Sequence, residues 1–233
     1  MTIGTVYLIP TFLHEDALET IPTYVIDAVK NCTVFFVENE KTARRYLKRL
    51  WKDMVIDQYE WFSIHKAEDD VIDKFTIALK AAKNIAIISE AGCPCIADPG
   101  QILVNKAQQL GAVIKPFVGP NSILLALMAS GMSGQHFKFH GYLPIDATER
   151  KAVLKQIEQE SSKTACTQIF IETPYRNNQL IKDVLQTCKD NTRFCIAVDI
   201  TATTETIVTK TVQQWKQQPV DIHKRLAIFL LYA

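Results

Sequence analysis

Asp98 closes the turn SEAGCPCIADPG, residues 89–100, whose make-up suits a ligand-binding loop. The apolar run IAII before it, residues 85–88, reads as a buried strand, and residues 101–110 behind it carry apolar side chains at helical spacing. Gly92 permits a positive φ or a close approach, while Pro94 and Pro99 fix φ and remove two backbone donors. Two roles fit: a ligand wall beyond the carboxyl end of a strand, or a plain strand-to-helix loop in which Asp98-Pro99 caps and starts a helix. A second turn, GPNS at residues 119–122, also opens a helix, and its amides suit an anionic group unless they only begin a core helix. Lys41, Arg44, Arg45, Lys48 and Arg49 recur at spacings that share one helix face, able to grip phosphates or simply to stay solvated.

The elements that must position these residues alternate. Strand-like runs at 4–10, 33–37, 61–64, 85–88 and 112–117 are separated by helical patterns, including one from Pro22, one over 39–51 and one from Glu68 to Ala82. This is the signature of βαβ units and a mostly parallel sheet. Pro116, Gly119 and Pro120 punctuate the chain, which places a domain boundary at 117/118: an N-terminal α/β domain over 1–117 and a C-terminal α/β domain with a mixed sheet over 118–233. In the second half, strands are expected at 137–142, 167–171, 193–200 and 225–232, with a short partner at 205–208, and Thr173-Pro174 is expected to start a helix.

A hydrophobic fraction of 48%, a charged fraction of 22% and a net charge of +1 describe an ordinary globular protein, so a polyanionic partner needs a local patch. No run approaches a membrane span and the N-terminus lacks the marks of a signal peptide, which points to the cytoplasm. The six cysteines read as reduced thiols. His136 and His140 flank a strand-like FKF, so no metal site is expected. The absence of GxGxG after the first strand and of GxxxxGK[ST] speaks against dinucleotide enzymes and P-loop nucleotidases.

Three places in order resemble the tetrapyrrole methylase family, the class III S-adenosylmethionine-dependent methyltransferases: SEAGCPCIADPG, GPNSILLALMASGM (residues 119–132) and IETPYR (residues 171–176). The nearest branch resembles enzymes that methylate a cytidine 2′-hydroxyl of small-subunit ribosomal RNA and read approximately SDAGTPxISDPG, GPSAxxxALxxSGL and YESPHR there. VENEKTARR at 37–45 stands where that branch has AEDTR, and DITATTE at 199–205 where it has ELTK and then E. The branch's glycine-rich loop, close to TPIGNLGD, is IPTFLHED here, residues 9–16.

The resemblance implies the tetrapyrrole methylase fold, two α/β domains with S-adenosyl-L-methionine in the cleft between them, commonly as a homodimer, acting on ribosomal RNA of the small subunit. By position it implies cofactor contacts from Asp98, Gln101, Ser122 and Ile123, and from Ile171, Glu172, Ala197 and Val198 of the second domain. His14 and Glu15 replace the glycine loop on the acceptor side, where Lys41, Arg44, Arg45 and Lys48 would meet RNA. Arg176 would bind the acceptor or pair with Glu172. Methylating a hydroxyl needs a base to take its proton; Glu38 at the end of the second strand is the first candidate and Asp199 the second, unless each is only an ion-pair partner. Other readings are the same fold with another acceptor, such as a tetrapyrrole, or a non-catalytic cofactor-binding homologue.

Overall fold

The computed structural model describes residues 2–64 and 69–233. Glu68, the expected start of the third helix, lies outside the described residues. The chain divides into two units, Met1–Asn121 and Ser122–Ala233. The division falls four residues beyond the punctuation at 117/118 because residues 118–120 bond within the first unit. The Val118 amide donates to the Tyr24 hydroxyl at 3.2 Å, and the Cys93 thiol faces the Gly119 and Pro120 carbonyls.

The first unit is a five-stranded, wholly parallel sheet in the order β3 (Glu60–Ser63), β2 (Val34–Val37), β4 (Ile85–Ile88), β1 (Thr5–Leu8), β5 (Val113–Pro116). β2 (VFFV) and β4 (IAII) are buried along their whole length, which is why they read as unbroken apolar runs rather than alternations. Their side chains split by period two into two cores. Phe35, Val37, Ala86 and Ile88 pack with α1 (Val25–Lys30) and α2 (Glu40–Leu50). Val34, Phe36, Ile85 and Ile87 pack with α3 (Asp69–Lys80) and α4 (Gln101–Gln109).

Asn39 caps α2, its side chain accepting the amides of Lys41 and Thr42. The helix expected from Pro22 begins at Val25: the Val25 and Ile26 amides donate to the Pro22 and Thr23 carbonyls, three residues back, so Pro22 opens a tight turn ahead of the α-helix.

The second unit is a mixed sheet in the order β6 (Phe137–Tyr142), β7 (Thr167–Ile171), β10 (Ala227–Tyr232), β8 (Arg193–Val198), β9 (Thr206–Thr211). β6 runs parallel to β7 and the remaining pairs are antiparallel. α6 (Ala147–Thr164), α7 (Asn177–Thr187) and α8 (Val212–Gln217) share a core with Phe170, Phe194 and Phe229, whose rings stack across β7, β8 and β10. α5 (Ser122–Ala129) packs against β10. α6 and α7 are tied by a buried ion pair, Arg150 to Asp183, at 2.5 Å with side-chain exposures of 4% and 1%.

Candidate functional site

Three loops of the first unit converge at the carboxyl ends of β1, β4 and β5. An isolated antiparallel bridge joins two of them: the Thr11 amide donates to the Gly92 carbonyl at 2.8 Å and the Gly92 amide to the Thr11 carbonyl at 3.2 Å. The Tyr46 hydroxyl of α2 donates to the Pro10 carbonyl at 2.7 Å, holding the loop from the other side. The turn after β5 closes the group. Gly119 approaches Pro10 so nearly that a Cβ on it would stand 2.1 Å from the proline Cβ, so only glycine fits there.

Asp98 does not cap α4. Gly100, at φ 118°, takes the cap position and no side chain bonds there. The left-handed glycine turns the chain between Pro99 and the helix, and the Asp98 carboxyl lies instead by Ser89, with Glu38 and Glu90 nearby. Burial pushes the Asp98 pKa up to about 6; Glu38 and, less, Glu90 push the same way, while the Ser89 hydrogen bond opposes them. Cys95 and Ala97 hold positive φ angles of 71° and 63° in the same turn. Non-glycine residues in that region cost roughly 1–3 kcal/mol each, and such strain gathers at ligand sites.

Glu38 lies directly after β2, where its Oε2 accepts the Glu90 amide at 3.0 Å. Glu90 in turn accepts the Thr42 hydroxyl at 3.1 Å. Asp98, Glu38, Glu90 and Ser89 thus form one acidic constellation. Ser89 and Glu90 escape a reading of the sequence because only the turn's actual path brings them to Asp98. Gln101 is exposed at the first position of α4. Ser122 and Ile123 open α5, the first half-buried and the second buried.

In the second unit the register sets Ile171, Ile228 and Ala197 side by side across three strands, so residues after β7 and β8 meet at one sheet end. Glu172 is there, its side chain 1% exposed. Its Oε1 accepts the Thr173 amide at 2.6 Å and the Arg176 guanidinium at 2.9 and 2.5 Å, whereas its Oε2 is buried with no partner. Arg176 is therefore paired with Glu172. Asp199, at φ 49°, accepts from the Arg225 guanidinium at 2.8 Å and the Thr204 hydroxyl at 2.9 Å. Arg225 is invisible as a partner in sequence because the β8–β10 register alone brings the two together.

The basic stripe of α2 is largely engaged. Arg44 pairs with Glu40 at 2.8 Å and lies over the Trp61 ring. Arg45 pairs with Glu15 at 2.6 Å. Lys48 donates to the Met54 carbonyl at 2.9 Å, and Arg49 lies over Phe12. Two of these contacts anchor the loop after β1, where His14 Nδ1 accepts the Asp16 amide at 3.3 Å. Lys41 is exposed on the first turn of the helix. Burial raises the Cys93 thiol pKa, and takes Cys32 and Cys188 up to about 12, so these thiols are poor nucleophiles.

No protein-family profile matches the chain. The uroporphyrin-III C-methyl transferase of Thermus thermophilus, in its complex with S-adenyl homocysteine, superposes with a TM-score of 0.59 at 14% identity, over 98% of this chain and 97% of that one. The ribosomal RNA small subunit methyltransferase I of Buchnera aphidicola is 32% identical over 198 residues, 85% of this chain and 66% of the relative. The chain has the tetrapyrrole methylase fold. A second protein of that methyltransferase I name, from Vibrio cholerae, is 30% identical over 206 residues, 86% of this chain and 66% of the relative. The chain thus spans about two thirds of the length of the curated relatives it matches.

Proposed function

We propose that this chain is an S-adenosyl-L-methionine-dependent methyltransferase that modifies a ribose 2′-hydroxyl in ribosomal RNA of the small subunit. The observation that carries this reading is the 32% identity, over 85% of the chain, with a protein named ribosomal RNA small subunit methyltransferase I. A substrate of that kind puts its work in the cytoplasm, and no helix among the described residues is long and apolar enough to cross a membrane.

The residues present fit the cofactor. The buried, unpartnered Oε2 of Glu172 is an acceptor awaiting a donor such as a hydroxyl or amino group. The amides that open α5 suit a carboxylate. Asp98, Gln101, Ser122 and Ile123, with Ile171, Glu172, Ala197 and Val198, hold it in this reading. When bound, the cofactor supplies a methyl group on a sulfonium, open to in-line attack by oxygen. Glu38 takes the hydroxyl proton: it is a strand-end carboxylate whose Oε2 accepts an amide. Asp199 is the weaker candidate because Arg225 and Thr204 already hold its Oδ2.

The deciding experiment is transfer of a labelled methyl group from S-adenosyl-L-methionine to small ribosomal subunits that lack the modification, followed by mapping of the modified nucleotide. Transfer to a ribose oxygen is the expected outcome. A chain that binds the cofactor yet transfers nothing to the subunits overturns the RNA reading.

A further inference from the structure

Tyr175 stands 70% exposed on the segment that follows β7. Its surroundings are built rather than loose. The segment 173–176 and the segment 221–225 before β10 are stitched together: the Lys224 amide donates to the Pro174 carbonyl at 3.0 Å, the Asn177 amide group to the Arg225 carbonyl at 2.7 Å, and the Ile222 amide to Asn178 Oδ1 at 3.1 Å. Asp221 accepts the His223 amide at 3.0 Å and the Asn178 side chain at 2.8 Å. Lys224 holds a φ of 63°, an unusual conformation for a lysine. The result sets two groups beside the Tyr175 ring: the His223 imidazole edge-on at 5.9 Å and the Lys224 ammonium at 5.8 Å. Arg176 and Arg225 flank them, each neutralised by its own carboxylate. Of the charges left in the patch, Asp221 and Lys224, it is the lysine that lies over the Tyr175 ring.

We propose that Tyr175, with Lys224, forms a stacking site for one unpaired nucleotide of the RNA acceptor, the ring taking the base and the ammonium the neighbouring phosphate. The proposal rests on the ribosomal RNA reading above. A flat ring with an adjacent cation matches the two faces of a nucleotide, and such platforms work on unstacked bases rather than on duplex. Because the two segments are already ordered, little conformational freedom is lost on binding. The site lies at the sheet end that carries Ile171 and Glu172, and so beside residues assigned to the cofactor.

The test uses the full chain with Tyr175→Ala, Tyr175→Trp and Lys224→Gln. Loss of one base stack, about 1–3 kcal/mol, corresponds to a roughly 5- to 150-fold rise in KM for small subunits in Tyr175→Ala. Tyr175→Trp restores it, and the thermal shift given by S-adenosylhomocysteine stays that of the wild type. Lys224→Gln lowers the salt dependence of RNA binding by about one phosphate contact. A wild-type KM in Tyr175→Ala overturns the stacking site while leaving the methyltransferase reading intact. Absent transfer by the wild type overturns that reading instead. The stacking site is then judged on the binding of a labelled single-stranded RNA, where equal affinity of wild type and Tyr175→Ala, or no binding by either, overturns it.

Discussion

Glu38 and Asp98, one at the end of β2 and the other in the turn after β4, act on each other as like charges. Burial is the larger cause of the raised Asp98 pKa, and Glu38 is the larger of the two carboxylates that add to it. An aspartate titrating near 6 changes its charge just below neutrality, in a turn already strained at Cys95 and Ala97.

Stability should register this titration. The folded pKa of Asp98, about 6, lies above the ordinary 3.8, so the folded state holds the proton more tightly. Its contribution is fully present below the unfolded value and is lost as pH rises through about 6. Asp98→Asn mimics the protonated form. It is expected to raise Tm at pH 7.5 and to give no gain at pH 4. An equal gain at both pH values would show that ionisation is not the cause.

Glu38→Gln should lower the Asp98 pKa, since it removes one of the groups that raise it while leaving the burial. A carbon-13 NMR titration of the Asp98 carboxyl in the two proteins reads this directly. An unchanged midpoint would mean that the two carboxylates do not sense each other.

Cofactor binding should appear as stabilisation. At about 100 times its dissociation constant, S-adenosylhomocysteine is expected to add roughly 2.7 kcal/mol, read as a rise in Tm. Asp98→Ala is expected to fold and to show a reduced shift. A full shift in that variant would leave Asp98 outside the cofactor's contacts, and no shift in the wild type would remove the cofactor itself.

The Arg150–Asp183 pair should be costly to break. Removing one partner of a buried pair typically costs about 3–5 kcal/mol, because the other charge is left behind. Asp183→Ala is expected to fall in that range by denaturant unfolding, because Arg150 is left with uncharged partners, the Pro144 and Ile145 carbonyls. A loss below about 1 kcal/mol, the scale of an exposed pair, would contradict the burial.

Gly119→Ala should force Pro10 aside, with an overpacking cost of about 1–3 kcal/mol. Pro10→Gly in the same chain removes the struck atoms and should recover part of the loss. Additive effects in the double variant would mean that the two residues do not touch.

Much of the first unit was legible because buried parallel strands announce themselves: VFFV and IAII have no polar alternation to confuse them. Helix starts were less so. Pro22 opens a tight turn ahead of its α-helix and Pro174 sits second in another, closed from the Arg176 amide to the Thr173 carbonyl, and a sequence signal for the first helical residue cannot tell such a turn from the helix proper. Asp98 shows the sharper limit. Asp-Pro before a helical pattern has the look of a cap, yet the left-handed Gly100 takes that place and the carboxyl lies by Ser89 and Glu38 instead. The basic stripe was readable as a face of α2, but its pairing with Glu15 and its stacking on Phe12 depend on the path of another loop.

The bridge between Thr11 and Gly92 is made wholly of main-chain groups. That part of the loop's anchorage is therefore indifferent to the letters of the loop, whereas the contacts of Phe12 and Glu15 with α2 are not. An exchange at His14, histidine for glycine, leaves both hydrogen bonds of the bridge in place and the segment moored to the turn that carries Asp98. In this architecture the tip of the first loop can drift in sequence while its berth stays fixed.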